Sequence, residues 1–345
     1  MKLKNDSFFK SSRDFLTVYL PRQRKMSPNT VKSYRGTLNQ FVDYLVEIKQ
    51  ISIFQITLDD LNADNISDYL DWLQESKKAA STTRNQKLMA LRSFAKYCSV
   101  SEISNVYIRM EISSVPIQKV PGKKVEFLSE DAMRTLLSMP NMQNYYGLRN
   151  GALMILMYDT AARCQEILDI KLKDIVFKQN ASYIYLTGKG EKLRSVPLME
   201  KTVEHLRHYM QFFHADETSS PEDYLFYTVI HGQRHPMSPD TIARIVHKYG
   251  ISARKENSSV PEKIHPHMFR HTRAIHLYRS GVPLPLLSEY LGHSQMTTTS
   301  IYAYASMEMK AEAICKANNP QNMPSVGKNL WEGDAEMIKK LYCLK

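Results

Sequence analysis

The chain has 345 residues, 43% hydrophobic and 23% charged, which suits two domains of ordinary globular composition. No run of about eighteen apolar residues occurs, and the start leads into no apolar signal core, so neither a membrane span nor a secretory signal is expected. The formal net charge is +11; it points to a polyanionic partner such as nucleic acid.

The first hundred residues read as helices. A helix around Phe8–Leu20 comes first. Ser27-Pro28-Asn29-Thr30 then starts another, with a serine cap and a proline at the first helical position. Tyr34, Leu38, Phe41, Leu45 and Ile48 recur at spacings of three and four, an apolar face. Asn62 or Asp64 can cap a third helix that turns Ile66, Tyr69, Leu70 and Leu73 inward. Ser81–Lys87 opens a fourth, with Leu88, Leu91, Phe94 and Ala95 on its apolar side. Lys32, Arg35, Arg84, Lys87 and Arg92 are candidate contacts to a phosphate backbone. Residues 1–124 hold 20 Lys and Arg against 12 Asp and Glu, a denser positive charge than the rest, so this part is the expected backbone clamp.

Residues 103–124 read as a linker, because Val115-Pro116-Ile117 and Val120-Pro121-Gly122 break helical pattern. Ser129-Glu130-Asp131 restarts helix, and Gly151–Met157 is a strongly apolar helix leading to Arg163. The sheet signal follows: short strand-like runs at Asp174–Phe177, Tyr183–Leu186 and Leu193–Pro197, separated by turn residues. Gly188-Lys189-Gly190 puts Lys189 at a hairpin tip. After Pro197 helices are expected to the end. Beyond Tyr302 these comprise Met307–Asn318, a break over Pro320–Gly327, and Leu330–Leu341.

Five segments carry chemistry: Arg163 with Glu166, Lys189, His267 with Arg270, His293 in Leu291-Gly292-His293, and Tyr302. Guanidinium forks match phosphate oxygens bidentately. Imidazoles move protons near neutrality. A phenol becomes a useful oxygen nucleophile beside concentrated positive charge. Such a set can hold and attack a phosphodiester without a metal. His265, His267 and His271 do not form a convincing zinc cluster, and the cysteines at 98, 164, 315 and 343 have no ligand spacing, so no metal and no cofactor are expected.

These segments resemble the catalytic domain of the tyrosine recombinases, the phage integrase family. An early arginine is followed by an acidic residue, a lysine sits on a hairpin, and His-x-x-Arg, Leu-Gly-His and a tyrosine nine residues later complete the pattern. One departure is Ala161-Ala162, where Gly-Leu is commoner. The resemblance implies a mainly α chain: an N-terminal helical core-binding domain, and a mostly helical catalytic domain with a small antiparallel β-sheet. The expected divisions are residues 1–102, a linker 103–124, a catalytic domain 125–319, and a tail 320–345 that docks in trans.

The resemblance also implies strand exchange through 3′-phosphotyrosyl intermediates and a Holliday junction, on double-stranded DNA recombination sites, by a homotetramer. Accessory DNA-bending or directionality proteins are further possible partners. Arg163 and Arg270 would clamp the non-bridging oxygens, and His267 and His293 would bond the phosphate. Lys189 would protonate the leaving 5′-oxygen, with Lys192 able to substitute. Tyr302 would be the nucleophile, favoured over Tyr304 by register. Glu166 would orient Arg163, and His271 reads as structural, off the helix face of Arg270. No arm-type DNA-binding domain is expected before Phe8. The tail and the missing arm favour a mobile element in a bacterial, cytoplasmic, nucleoid-associated setting. The rivals are a type IB topoisomerase-like enzyme and a catalytically silent DNA-binding protein.

Overall fold

The computed structural model describes residues 6–101, 105–120, 125–188, 190–215, 219–293, 298–304 and 333–344. The chain divides into two compact units, Met1–Lys123 and Lys124–Lys345. Both are mainly helical. Among the described residues the strands lie in the second unit, so the fold-class expectation holds. No helix among the described residues is long and apolar enough to cross a membrane.

The first unit opens with α1 (Ser7–Asp14), which continues into a wider π-wound segment, Phe15–Gln23, containing Pro21. A proline lacks the N–H that a regular helix interior needs, which accounts for altered winding there. Helix α2 (Pro28–Glu47) starts as expected, with the Ser27 side chain accepting from the Thr30 N–H. Helix α3 (Ala63–Glu75) is capped by Asn62, which accepts from the Asn65 N–H at 2.9 Å. Helix α4 (Ser81–Ser101) completes the framework. The core is aromatic: Phe94 lies 5.7 Å from Phe8 and 5.3 Å from Phe15, centroid to centroid. Leu38, Phe41 and Leu45 of the predicted α2 face are buried. Ile48 sits just past the last turn and stays half exposed.

The linker expectation is corrected over residues 106–118. Helix α5 (Val106–Ser114) forms there and buries Ile108, Ile112 and Val115 in the first unit's core. Two of the candidate DNA contacts hold this segment down. Arg84 is buried and donates from Nη1 to the Pro116 carbonyl at 3.0 Å. Arg92 donates from Nη2 to the Ser113 and Val115 carbonyls at 3.0 and 2.6 Å. Those guanidiniums satisfy carbonyls left open at and just past the end of α5. Arg84 is therefore a structural residue, and the Arg92 head group is committed within the unit. Lys32 and Arg35 are exposed, and Lys87 is half buried with its pKa lowered by that burial.

The second unit runs α6 (Glu130–Ser138), α7 (Tyr145–Thr160) and α8 (Cys164–Leu168), then strands β1 (Ile175–Val176), β2 (Tyr183–Gly188) and β3 (Lys192–Pro197). These strands form one antiparallel sheet in the order β1-β2-β3, with Leu186 opposite Arg194 and Gly188 opposite Lys192. Helix α9 (Glu200–Phe213) follows. A second hairpin, β4 (Tyr227–Ile230) with β5 (Gln233–Pro236), interrupts the run of helices expected after Pro197. Its two-residue loop is His231-Gly232, both at positive φ (50° and 76°), the backbone of a type I′ turn. Then come α10 (Pro239–Glu256), α11 (Pro266–Arg279), α12 (Leu284–Leu291) and α13 (Ser300–Tyr304). A helix spans Ala335–Leu341, with Ile338, Leu341 and Tyr342 exposed. The expected helix Met307–Asn318 and the break Pro320–Gly327 lie outside the described residues.

Candidate active site

Helix α7 is buried along most of its length and ends abruptly. Ala161, its C-cap, takes the left-handed conformation (φ 48°) with no exposed surface. A small side chain tolerates that turn at modest cost, and the turn swings Arg163 out of the core to the start of α8. Glu166 then works in two directions. Its Oε2 accepts from the Arg163 backbone N–H at 2.8 Å, capping α8, and its Oε1 pairs with Arg163 Nη1 at 2.7 Å.

A second guanidinium meets the same carboxylate. Arg194 of β3 donates from Nη2 to Glu166 Oε2 at 2.7 Å and from Nη1 to Oε1 at 3.1 Å. Its Nε reaches the Tyr290 carbonyl at 3.1 Å. Burial by itself pushes the Glu166 carboxyl up, but Arg194 and then Arg163 outweigh it, bringing the pKa down to about 2. The sequence reading missed Arg194. It ties three motif segments together: the arginine turn, the lysine hairpin and the Leu-Gly-His turn. Gly292 fits this clamp for two reasons. Its φ is +63°, and a Cβ there would sit 3.0 Å from Arg194 Cδ.

Helix α11 supplies the centre. Pro266 opens it after the extended N-cap His265, so His267 stands in the first turn. Arg270 is 1% exposed and committed on its inner side, donating from Nη1 to the Ala161 carbonyl at 2.8 Å and from Nη2 to the Leu291 carbonyl at 2.6 Å. Its pKa falls to about 10, through burial first and then the charge of Arg163. The His267 pKa is lowered, first by desolvation and then by Arg270, His265 and Arg163.

Tyr302 is 1% exposed. Its ring packs in a small apolar cluster with Ala161, Ala274, Ile275, Leu287 and Leu291. Burial raises its pKa, against downward pulls from Arg270 and Arg163. The reading of His271 as a residue off the active face is corrected: its Nδ1 lies 3.0 Å from the Tyr302 Oη. The face argument failed because the Tyr302 hydroxyl is near both neighbours, with Arg270 acting on it by charge and His271 touching it. Helix α13 crosses beside α11 and brings the phenol to the next position round the helix.

His293 follows the left-handed Gly292 and bonds from Nδ1 to Thr299 Oγ1 at 2.9 Å. Its pKa is lowered to about 4, by burial first and then by Arg270, Arg163 and Arg194. A cavity of about 620 Å³ is lined by Arg163, Lys192, Arg194, Gly292, His293 and Thr298, among others. Lys189 lies outside the described residues, between the paired Gly188 and the turn residue Gly190. Arg163, Glu166, His293, Arg270 and Tyr302 are thus brought together, with His267 one turn from His271. Their rings meet edge-to-face at 4.5 Å. Such an arrangement can bind an anion between guanidiniums and present a phenol to it.

Comparison with known proteins identifies the family and the fold. The family model described as "Phage integrase family" matches residues 126–309, and "Phage integrase, N-terminal SAM-like domain" matches residues 14–99. A tyrosine recombinase of Pseudothermotoga lettingae is 32% identical over 86% of this chain and 95% of its own. Tyrosine recombinase XerC of Syntrophus aciditrophicus is 30% identical over 84% of this chain and 91% of its own. Among solved structures, the Tn1549 transposon integrase in complex with transposon right end DNA shares the fold at a TM-score of 0.66 and 15% identity, covering 89% of this chain and 98% of that one. XerH recombinase bound to its difH substrate shares it at 0.65 and 20% identity, covering 84% and 80%. The chain belongs to the phage integrase family, the tyrosine-type site-specific DNA recombinases.

Proposed function

We propose that this recombinase cuts one DNA strand at a time with Tyr302 as the nucleophile, and exchanges strands pairwise through a Holliday junction. The observation that carries the reading is the Tyr302 hydroxyl, held at 3.0 Å by His271 and acted on by the charges of Arg270 and Arg163. A free phenol has a pKa of about 10, so attack near neutrality needs such surroundings. Arg163 and Arg270 hold the non-bridging oxygens of the scissile phosphate, each at a fixed angle set by Glu166 or by backbone carbonyls. His267 and His293 bond the same oxygens. Lys189 protonates the leaving 5′-oxygen, and Lys192 in the cavity wall is the alternative donor. No metal or nucleotide enters this scheme, because the phosphotyrosine link conserves the bond energy for rejoining.

The first unit supplies nonspecific backbone contacts through exposed Lys32 and Arg35 on α2 and half-buried Lys87 on α4. The active assembly is a homotetramer on two duplexes, in which the tail, residues 320–345, docks on a neighbouring protomer. The exposed apolar residues of Ala335–Leu341 support that reading, since a helix this short needs a partner surface. The role we favour is movement of a mobile element, supported by the likeness in fold to a transposon integrase.

The test is covalent capture. A duplex selected by the protein from a random pool, nicked beside the cleavage point, should give a denaturant-resistant protein–DNA adduct. Tyr302→Phe should bind that duplex normally and give none, whereas Tyr304→Phe should still give one. An adduct from Tyr302→Phe would refute the assignment.

A further inference from the structure

The scheme above gives His271 no proton to move, yet its ring nitrogen touches the phenol. The hydroxyl carries a single proton. The positive charge of Arg270 acts on that oxygen and pulls the phenol pKa down. A guanidinium carries positive charge and only donates, so the phenol's own proton is favoured on the side away from Arg270, toward an acceptor. Nδ1 of His271, at 3.0 Å, is the acceptor placed to take it. The neutral ring then carries its own hydrogen on Nε2. The imidazole is fixed in this pose by the His267 ring, edge-to-face at 4.5 Å, and by the Tyr302 ring, tilted at 5.7 Å.

We propose that His271 is the proton acceptor for Tyr302 during strand cleavage. The proposal rests on Tyr302 being the nucleophile. In the step, the bond from Oη to phosphorus forms and the bond from phosphorus to the 5′-oxygen breaks. The phenol proton passes to His271 Nδ1, and the 5′-oxygen takes a proton from the general acid. On rejoining, each transfer reverses, and protonated His271 returns its proton to the departing phenol.

The electrostatics fit a base that works only in mid-reaction. The groups facing the ring are His267 and Arg270 on its own helix, His265 at the cap, His293 from the turn after α12, and Tyr302 from α13. Burial first, and then the positive neighbours, lower the His271 pKa to about 4. The imidazole is therefore neutral at ordinary pH, the form that accepts. It is too weak to strip a resting phenol. As Oη bonds to phosphorus, however, its proton becomes far more acidic than an imidazolium, and transfer turns downhill. A base of strength between those two extremes is suited to receive a proton within the transition state. The entering phosphodiester also brings a negative charge that offsets Arg270 and strengthens the base.

The experiment is single-turnover adduct formation on the nicked duplex from pH 6 to 10. It compares wild type, Tyr302→Phe, His271→Leu and His271→Asn, with DNA binding measured in parallel. Asparagine offers an amide oxygen that accepts the phenol's hydrogen bond but takes no proton. Both His271 variants should cleave on the order of a hundredfold slower at pH 7 while binding normally. Their rate should climb with pH as free phenolate forms, whereas the wild-type rate stays level up to pH 9. Cleavage by His271→Leu at wild-type speed would overturn the proposal. Rescue to within a few-fold by His271→Asn would also overturn it, since that means a held phenol without proton transfer. Should His271→Leu lose DNA binding, His271→Asn alone decides between these outcomes. A wild-type protein that forms no adduct at all would instead refute the nucleophile reading and this proposal with it.

Discussion

The two units solve different problems with different residues. The first contains no histidine; all eleven lie between His205 and His293. Its interior is an aromatic cluster around Phe15 and Phe94, and its buried Arg84 serves only to close a helix end. The second unit buries Glu166, Arg270 and Asp159, and partly buries His271 and His293. Buried charge is costly unless fully partnered. The lesson is that stability in the first unit comes from packing that tolerates change at its surface. In the second, buried Glu166 and Asp159 are held by arginines and buried Arg270 by backbone carbonyls, so a single loss spreads through the site.

The largest effect should separate chemistry from binding. Arg163→Lys keeps the positive charge but loses the fork that meets both Glu166 and a phosphate. Adduct formation at saturating DNA should fall about a hundred- to thousandfold, the usual loss for one oxyanion donor. Replacing Lys32 and Arg35 together by alanine should leave that saturated rate unchanged. Equal losses from both changes would erase the proposed division of labour.

Stability offers a paired test. Phe94→Ala should cost the first unit about 3–5 kcal/mol. Arg194→Ala should cost the second unit a similar amount, about 3–5 kcal/mol, by leaving Glu166 buried without its bidentate partner. Limited proteolysis with fragments identified by mass should show the loss confined to the mutated unit in each case. If Arg194→Ala proves neutral, the clamp contributes nothing to stability.

Acid should tell the units apart as well. The pKa values of His271 and His293 lie near 4 in the fold against an ordinary 6.5, and Glu166 lies near 2 against 4.5. Each is depressed, so its contribution is complete above the ordinary value and is lost as pH falls toward the folded one. The second unit should therefore begin to weaken as pH drops from 6.5 to 4. Below 4.5 it should lose about 3 kcal/mol more through Glu166. The first unit lacks the histidine part of this response. The same proteolysis at pH 7.5 and 5 checks it, and equal loss in both units at pH 5 would contradict the assignment.

The smallest effect concerns salt. If Lys32 and Arg35 each meet one phosphate, removing either should lower the slope of log affinity against log salt by about 1. Arg84→Met should not change that slope in protein that remains folded, because its guanidinium faces the Pro116 carbonyl.

Much was legible in the sequence because it depends on local rules. Ser27-Pro28 and Asn62 start helices wherever they occur before an apolar repeat. The spacing of Arg163, His267, Arg270, His293 and Tyr302 survives as a pattern because each stands at a fixed place on its own element. Even the missed hairpin carried a local sign, His231-Gly232 between strand-like residues, and the missed α5 had Ile108 and Ile112 four apart. Other features needed the folded chain. Arg84 and Lys32 look alike in sequence, both basic residues in the first turns of a helix, and only packing buries one and exposes the other. Arg194 lies 28 positions from Glu166 and meets it because the sheet folds back on α8. His271 and Tyr302 are 31 apart, and the angle at which α13 crosses α11 sets the phenol on that imidazole. Sequence determines which groups stand on each element, since capping and periodicity act within a few residues. Which groups meet is decided by how the elements pack, because hydrogen bonds of 3 Å depend on helix crossings and strand register that no short stretch encodes.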